Sequence, residues 1–162
     1  MSKNKKTALE TASAYLASRM RTVQEVRKRL KEREYDAAES DEAVRELIDL
    51  GYLDDYAYAV SYYEYNREKK RGSLRAMREL IEKGVAEETA KNAREDFLYS
   101  NKVDEFSDAL SLALRDAEDK EIDDKLIAKT ARKLESRGFE KRVIIRVLED
   151  IRRNGSSEDT VY

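Results

Sequence analysis

Apolar residues recur along this chain at helical spacing, and short clusters of turn-forming residues break the pattern at regular intervals. Ala8, Leu9, Ala12, Tyr15 and Leu16 predict a first helix with one buried stripe. Thr22-Val23-Gln24-Glu25 has the form of a capping box and opens a second helix, with Val23, Val26 and Leu30 inward. A third helix carries Ala43, Val44, Leu47 and Ile48 and stops at Gly51. The next three stripes are Tyr56, Ala59, Val60 and Tyr63; then Ala76, Met77, Leu80 and Ile81; then Ala90, Ala93, Phe97 and Leu98. The last three run through Phe106, Ala109, Leu110, Ala113 and Leu114, through Ile127, Thr130, Ala131 and Leu134, and through Ile144, Val147, Leu148 and Ile151.

These stripes fall into three copies of one unit. Superimposing Leu30, Leu80 and Leu134 aligns Arg29-Leu30-Lys31-Glu32-Arg33-Glu34-Tyr35 with Glu79-Leu80-Ile81-Glu82-Lys83-Gly84-Val85 and with Lys133-Leu134-Glu135-Ser136-Arg137-Gly138-Phe139. In each copy a leucine closes a helix, a basic residue follows, then a glycine or its substitute, then an apolar residue leading into another helix. The predicted fold is all-α, three tandem three-helix repeats over residues 1–53, 54–100 and 101–153, with a basic tail at the start and a frayed polar tail over 154–162. Glu34 stands where the other copies have Gly84 and Gly138. Ser40 stands where the third copy has Ile144, which predicts looser packing there.

Between the first two copies lies Gly51-Tyr52-Leu53-Asp54-Asp55-Tyr56-Ala57-Tyr58-Ala59. Gly51 is suited to the left-handed residue after a helix, and Asp54 to the N-cap of the next. Asp55 adds charge to the first turn, and Leu53 and Tyr58 stand at the spacing of a hydrophobic staple. A well-built corner with no site in it accounts for these residues taken alone. Gly72-Ser73 begins the following helix.

Composition narrows the possible functions. The 162 residues contain no proline, five glycines and 42% charged side chains, which favours helix throughout. With no histidine and no cysteine, triads, thiol nucleophiles, disulfides and imidazole or thiolate metal sites are absent. Lys70-Arg71-Gly72-Ser73 lacks the spacing of a phosphate loop, and Asp54 and Asp55 are explained by capping rather than by a metal. The chain is therefore read as a non-enzyme with no cofactor. The net charge of −2 gives no overall pull towards nucleic acid or membrane. No apolar run follows the N-terminal lysines and none approaches bilayer length, so the expectation is a cytoplasmic monomer.

Two groups of residues remain as candidates for binding. Tyr58, Tyr62 and Tyr65, running into Lys69, line a face of the fourth helix nearly opposite its apolar stripe. Either neighbouring repeats cover this helix from both sides, or the tyrosines face a partner. The repeat alignment also puts Arg19 and Arg21 in register with Lys69 and Arg71, where the third copy has Asp123 and Lys125 beside an acidic linker, 116–124. Any one of these cations could merely complement a helix dipole. Their recurrence makes Arg19, Arg21, Arg67, Lys69, Lys70 and Arg71 the best candidates for contact with an acidic protein surface or a phosphate backbone.

The residues also carry a family resemblance. Ala14-Tyr15-Leu16-Ala17-Ser18-Arg19-Met20-Arg21-Thr22, Glu25 to Leu30, the corner at Gly51 to Asp55 with Tyr58-Ala59, Arg71-Gly72, and Glu79 to Val85 with Gly84 together resemble the RecX family, regulators of the RecA recombinase. The resemblance extends from about Leu9 to Ile151, with Glu34, Ser40 and the acidic linker as departures. It implies an elongated, curved array lying in the groove of the RecA filament on single-stranded DNA. There it would suppress ATP hydrolysis, strand exchange and filament extension and so modulate recombination, DNA repair and the SOS response. It also leaves room for weak direct DNA contact. The alternative is a helical-repeat protein that binds nucleic acid directly, and a scaffold for some other protein is a third reading.

Overall fold

The computed structural model describes residues 5–156, and these form nine α-helices and no strand. In chain order they are α1 (Ala8–Ala17), α2 (Val23–Glu32), α3 (Ala37–Asp49), α4 (Asp55–Glu68), α5 (Ser73–Glu82), α6 (Glu87–Ser100), α7 (Glu105–Ala117), α8 (Asp124–Arg137) and α9 (Lys141–Ser156). The predicted box at Thr22 is present. Its side chain accepts from the Glu25 amide, and the Glu25 carboxylate accepts from the Thr22 amide. Thr7 and Glu10 make a second box at the start of α1.

The aligned leucines Leu30, Leu80 and Leu134 are fully buried, and the turns after them share one hydrogen-bond pattern. The amides of Tyr35, Val85 and Phe139 donate to the carbonyls of those leucines at 3.1, 3.0 and 3.2 Å. Between them Glu34, Gly84 and Gly138 adopt φ of 65°, 91° and 90°. This is the left-handed helix termination expected of a glycine, and at Glu34 it is imposed on a residue with a Cβ. Glu34→Gly is therefore expected to stabilise the fold by about 1 kcal/mol, read as a rise in the thermal midpoint of a few degrees.

The chain divides into two compact units whose boundary passes through the middle repeat. One comprises Met1–Tyr62 with Glu79–Ala93, the other Tyr63–Arg78 with Arg94–Tyr162, so α4, α5 and α6 each contribute to both. In the first unit Ala8 and Ala12 of α1, Val26 and Leu30 of α2, Ala43, Val44 and Leu47 of α3, and Leu53 form one core. In the second, α7 supplies Ala109, Leu112 and Ala113, α8 supplies Ile127 and Leu134, and α9 supplies Ile144, Val147 and Ile151 around Phe139. Tyr63 is buried in this unit and stacks on Phe97 at 5.7 Å between ring centres.

Several boundaries differ from the sequence reading for local reasons. Ile48, Ile81 and Leu114 each follow a buried residue near the end of a helix and lie on the exposed flank of the stripe. Tyr56 is likewise exposed, and Ser40 is buried in place of the isoleucine of the third copy. The register puts Asp123 and Lys125 at a join, but Asp123 caps α8 by accepting from the Leu126 amide (2.8 Å), so Asp124 and Lys125 are already helical. A carboxylate can start a helix where Arg19 and Lys69 cannot. The first two residues of the acidic stretch 116–124 belong to α7 and the last to α8. At the other end α9 continues to Ser156, into the stretch read as a polar tail; residues 157–162, like 1–4, lie outside the described part.

Candidate partner-binding surface

In the first unit the structure brings Arg19, Arg21 and Tyr58 together. Arg19 is exposed and Arg21 half-buried, its guanidinium 4.1 Å above the ring of Tyr15. Tyr58 is half-buried at the start of α4. Burial raises the pKa of its hydroxyl most, with Glu25 acting the same way, while Arg19 and Arg21 pull it down, so both cations share its electrostatic environment. Tyr58 stacks on Tyr62 with ring centres 6.1 Å apart, and the Tyr62 hydroxyl donates to Glu79. These two tyrosines pack within the unit, whereas Tyr65 of the second unit is 49% exposed.

In the second unit Tyr65 lies beside the basic residues that end α4. Lys69 Nζ sits 5.6 Å from its ring centre, and the Lys69 carbonyl accepts from Arg137 (3.2 Å). Arg67 pairs with Asp108 at 3.0 Å. Lys70 holds φ of 60° in the turn, and Arg71 is half-buried. Arg67, Lys70 and Arg71 line an open cleft of about 600 Å³ that also presents Glu64, Glu68 and Asp108. This group is thus interleaved with acids.

The glycines and carboxylates of the predicted signature have separate jobs, and several depend on residues distant in sequence. Asp54 caps its own helix, accepting from the Ala57 amide at 3.1 Å. Asp55 caps a different one: its carboxylate accepts from the Val23 amide at the start of α2 (2.9 Å). Glu105, fifty residues on, does the same for the Ser73 amide at the start of α5 (2.7 Å). Matching contacts are made by the preceding residue, where the Thr22 hydroxyl donates to the Lys83 carbonyl (3.0 Å) and the Gly72 amide to the Arg137 carbonyl (2.8 Å). The start of each of these helices is thus bound by the following repeat, through one acid and one carbonyl beside a left-handed glycine.

This arrangement explains where glycine is required. A Cβ on Gly84 would meet the Gln24 side chain at 1.5 Å, and one on Gly138 would meet Cβ of Arg75 at 2.1 Å. One on Gly72 would lie 2.3 Å from the Gly138 carbonyl oxygen. Glu34, in the first copy, is exposed. Its turn therefore carries only the dihedral requirement, and a side chain fits there.

Comparison with known proteins agrees with this architecture. Residues 8–47 match the family model of the first three-helix domain of RecX. A regulatory protein RecX of Halalkalibacterium halodurans is 35% identical over 92 residues, 56% of this chain and 35% of the relative. One of Bacillus velezensis is 30% identical over 146 residues, 89% of this chain and 55% of the relative. The crystal structure of RecX from Lactobacillus salivarius superimposes with a TM-score of 0.78 at 25% identity, covering 88% of this chain and 93% of that one. Over most of its length the chain is similar to RecX-family proteins. It spans about half the length, or less, of these curated RecX relatives.

Arg94, which the sequence reading did not single out, also serves this fold. Arg94 of α6 donates through Nε to the Ser73 hydroxyl (2.7 Å), pairs with Glu140, and lies 3.8 Å from Glu105. The local sequence around Arg94 gives no signal for this, since its partners are eleven and more residues away. Tyr52, inside the corner, is 71% exposed. Its backbone closes the turn, the amide donating to the Leu47 carbonyl (3.0 Å), and its ring stays available for contact. No described helix is long and apolar enough to cross a membrane.

Proposed function

We propose that this chain is a regulator of RecA that binds the recombinase filament on single-stranded DNA and restrains its ATPase, strand exchange and extension. The observation that carries the reading is the recurrence of basic joins at the same place in two repeats, Arg19 with Arg21 and Lys69 with Lys70 and Arg71, on a RecX-like scaffold. Cations held at the turns between helices meet acidic protein surface or phosphate with little loss of side-chain freedom where an aromatic ring already orders them, as Tyr15 orders Arg21 and Tyr65 orders Lys69. Contacts from separate repeats to successive filament protomers add through effective concentration, so each can be weak. In this reading the protein is a cytoplasmic monomer without catalytic chemistry of its own, and Tyr65 and Tyr52 are the aromatic contacts that join the basic ones.

The test is the single-stranded-DNA-dependent ATPase of RecA from the same organism, at protein levels too low to coat the DNA. The native chain is expected to lower the rate. The combined variant Arg19→Glu, Arg21→Glu, Lys69→Glu and Arg71→Glu is expected to lose at least tenfold in effective concentration, about 1.4 kcal/mol or more. An unchanged inhibition curve for that variant would remove the basic joins from the site. Steeply salt-dependent binding to bare DNA with no effect on the ATPase would instead make this a nucleic-acid-binding repeat protein.

A further inference from the structure

The first unit contains a hollow of about 490 Å³ whose charged lining is entirely positive: Lys6, Arg21, Arg29 and Arg33. Thr11, Ala14, Tyr15 and Ser18 complete the lining. Net positive concavities are costly to build, because four cations repel each other and lower-dielectric walls strengthen the repulsion. Among the described residues no carboxylate lines this one, and none pairs with any of the four cations. The carboxylates of Glu25 and Glu32 line an adjoining hollow that shares Tyr15, Arg21 and Arg29, and Glu25 is engaged in its capping box with Thr22.

Two details fix the kind of ligand that suits the hollow. The Arg21 and Arg29 guanidinium carbons lie 4.1 and 5.1 Å from the centre of the Tyr15 ring, which pre-orders both cations and occupies the ring that a base would otherwise stack on. Arg21 reaches Ser18 through Nη2 (3.4 Å), but its Nε is buried with no hydrogen-bond partner. A buried charged donor without an acceptor leaves Arg21 with unused hydrogen-bonding capacity, and Arg21 lines the hollow. Four cations around one open hollow match a compact anion of several charges better than a diester strand with one charge per phosphate.

We propose that this hollow is a binding site for a polyphosphate anion, inorganic or the end of a nucleoside polyphosphate, recognised through its phosphates and not through a base. The hollow shares Arg21 with the basic joins, yet the two readings are tested separately. Lys6 and Arg33 lie outside the basic joins, and binding is measured without RecA.

The probe is inorganic pyrophosphate, titrated calorimetrically into the full chain in metal-free buffer of low ionic strength. Saturable binding to one site with Kd below about 1 mM is expected, together with a rise in thermal midpoint. Lys6→Gln combined with Arg33→Gln, both on exposed side chains, is expected to weaken binding about tenfold or more while leaving the ligand-free midpoint unchanged. Sulfate at the same ionic strength should compete only weakly. The proposal is overturned if pyrophosphate gives no saturable binding, or if the double variant binds it as the native chain does. It is equally overturned if a short single-stranded oligonucleotide binds through these cations and pyrophosphate at equal phosphate concentration fails to displace it.

Discussion

Gly72→Ala is expected to destabilise the protein by about 3–5 kcal/mol, a large share of the total stability of an ordinary domain. The reason is space rather than backbone conformation, since Gly72 does not occupy the left-handed region. A methyl group there would lie 2.3 Å from the Gly138 carbonyl oxygen, 2.4 Å from its carbon and 2.5 Å from the Phe139 nitrogen, all backbone atoms that no rotamer change can clear. Relieving the clash means separating the start of α5 from the turn after α8. That lengthens the 2.8 Å bond from the Gly72 amide to the Arg137 carbonyl and the 2.7 Å bond from the Ser73 amide to Glu105. Gly51→Ala supplies the control. Gly51 has φ of 78° with nothing within 4 Å of its missing Cβ, so that variant carries only the dihedral cost of about 1 kcal/mol. Urea denaturation of the two variants beside the native chain separates the causes, and a Gly72→Ala loss no greater than that of Gly51→Ala would mean that the contact is soft.

The same pair shows what was legible in the sequence. The nine helices follow from apolar spacing and capping residues, because those signals are local and repeat three times. Gly51, Gly84 and Gly138 are readable as helix terminators for the same reason. Gly72 is not, since its requirement comes from Gly138 and Phe139, more than sixty residues away. Asp55 was assigned to its own helix dipole, the one effect visible within a few residues, whereas its carboxylate caps α2. Within the candidate site, the basic joins were visible through the repeat register. The Tyr58, Tyr62, Tyr65 stripe was visible as a periodicity, but its division between packed and exposed rings was not. Tyr62 meets Glu79 on α5, a contact between helices that periodicity along one of them does not encode.

Arg94→Met should give the second large effect, about 3 kcal/mol at neutral pH, and one that depends on acidity. The Arg94 side chain is 17% exposed, and its acidic neighbours Glu105 and Glu140 are 11% and 24% exposed. Methionine keeps much of the volume but leaves both carboxylates in a partly desolvated site without their cation, and the Ser73 hydroxyl without its donor. In the native chain the hydrogen bond from Arg94 is the main cause holding the Glu140 carboxyl below its ordinary value of 4.5, with a smaller contribution from Arg142 against the opposing effect of burial. A carboxyl whose pKa is lower folded than unfolded contributes stability that is complete above about pH 4.5 and is lost as the pH falls through the folded value. Removing Arg94 takes away the leading cause of that shift, so the variant has less of this stability to lose on acidification. The difference between native and variant proteins should therefore be widest near pH 7 and shrink below pH 4.5. Asp55, whose pKa is raised chiefly by burial, favours the folded state on acidification, but it does so in both proteins and cancels from the difference. Denaturation midpoints measured from pH 7 down to about 3.5 give the comparison directly. A gap that stays constant across that range would mean that Arg94 holds its neighbours by packing alone, with its charge contributing nothing.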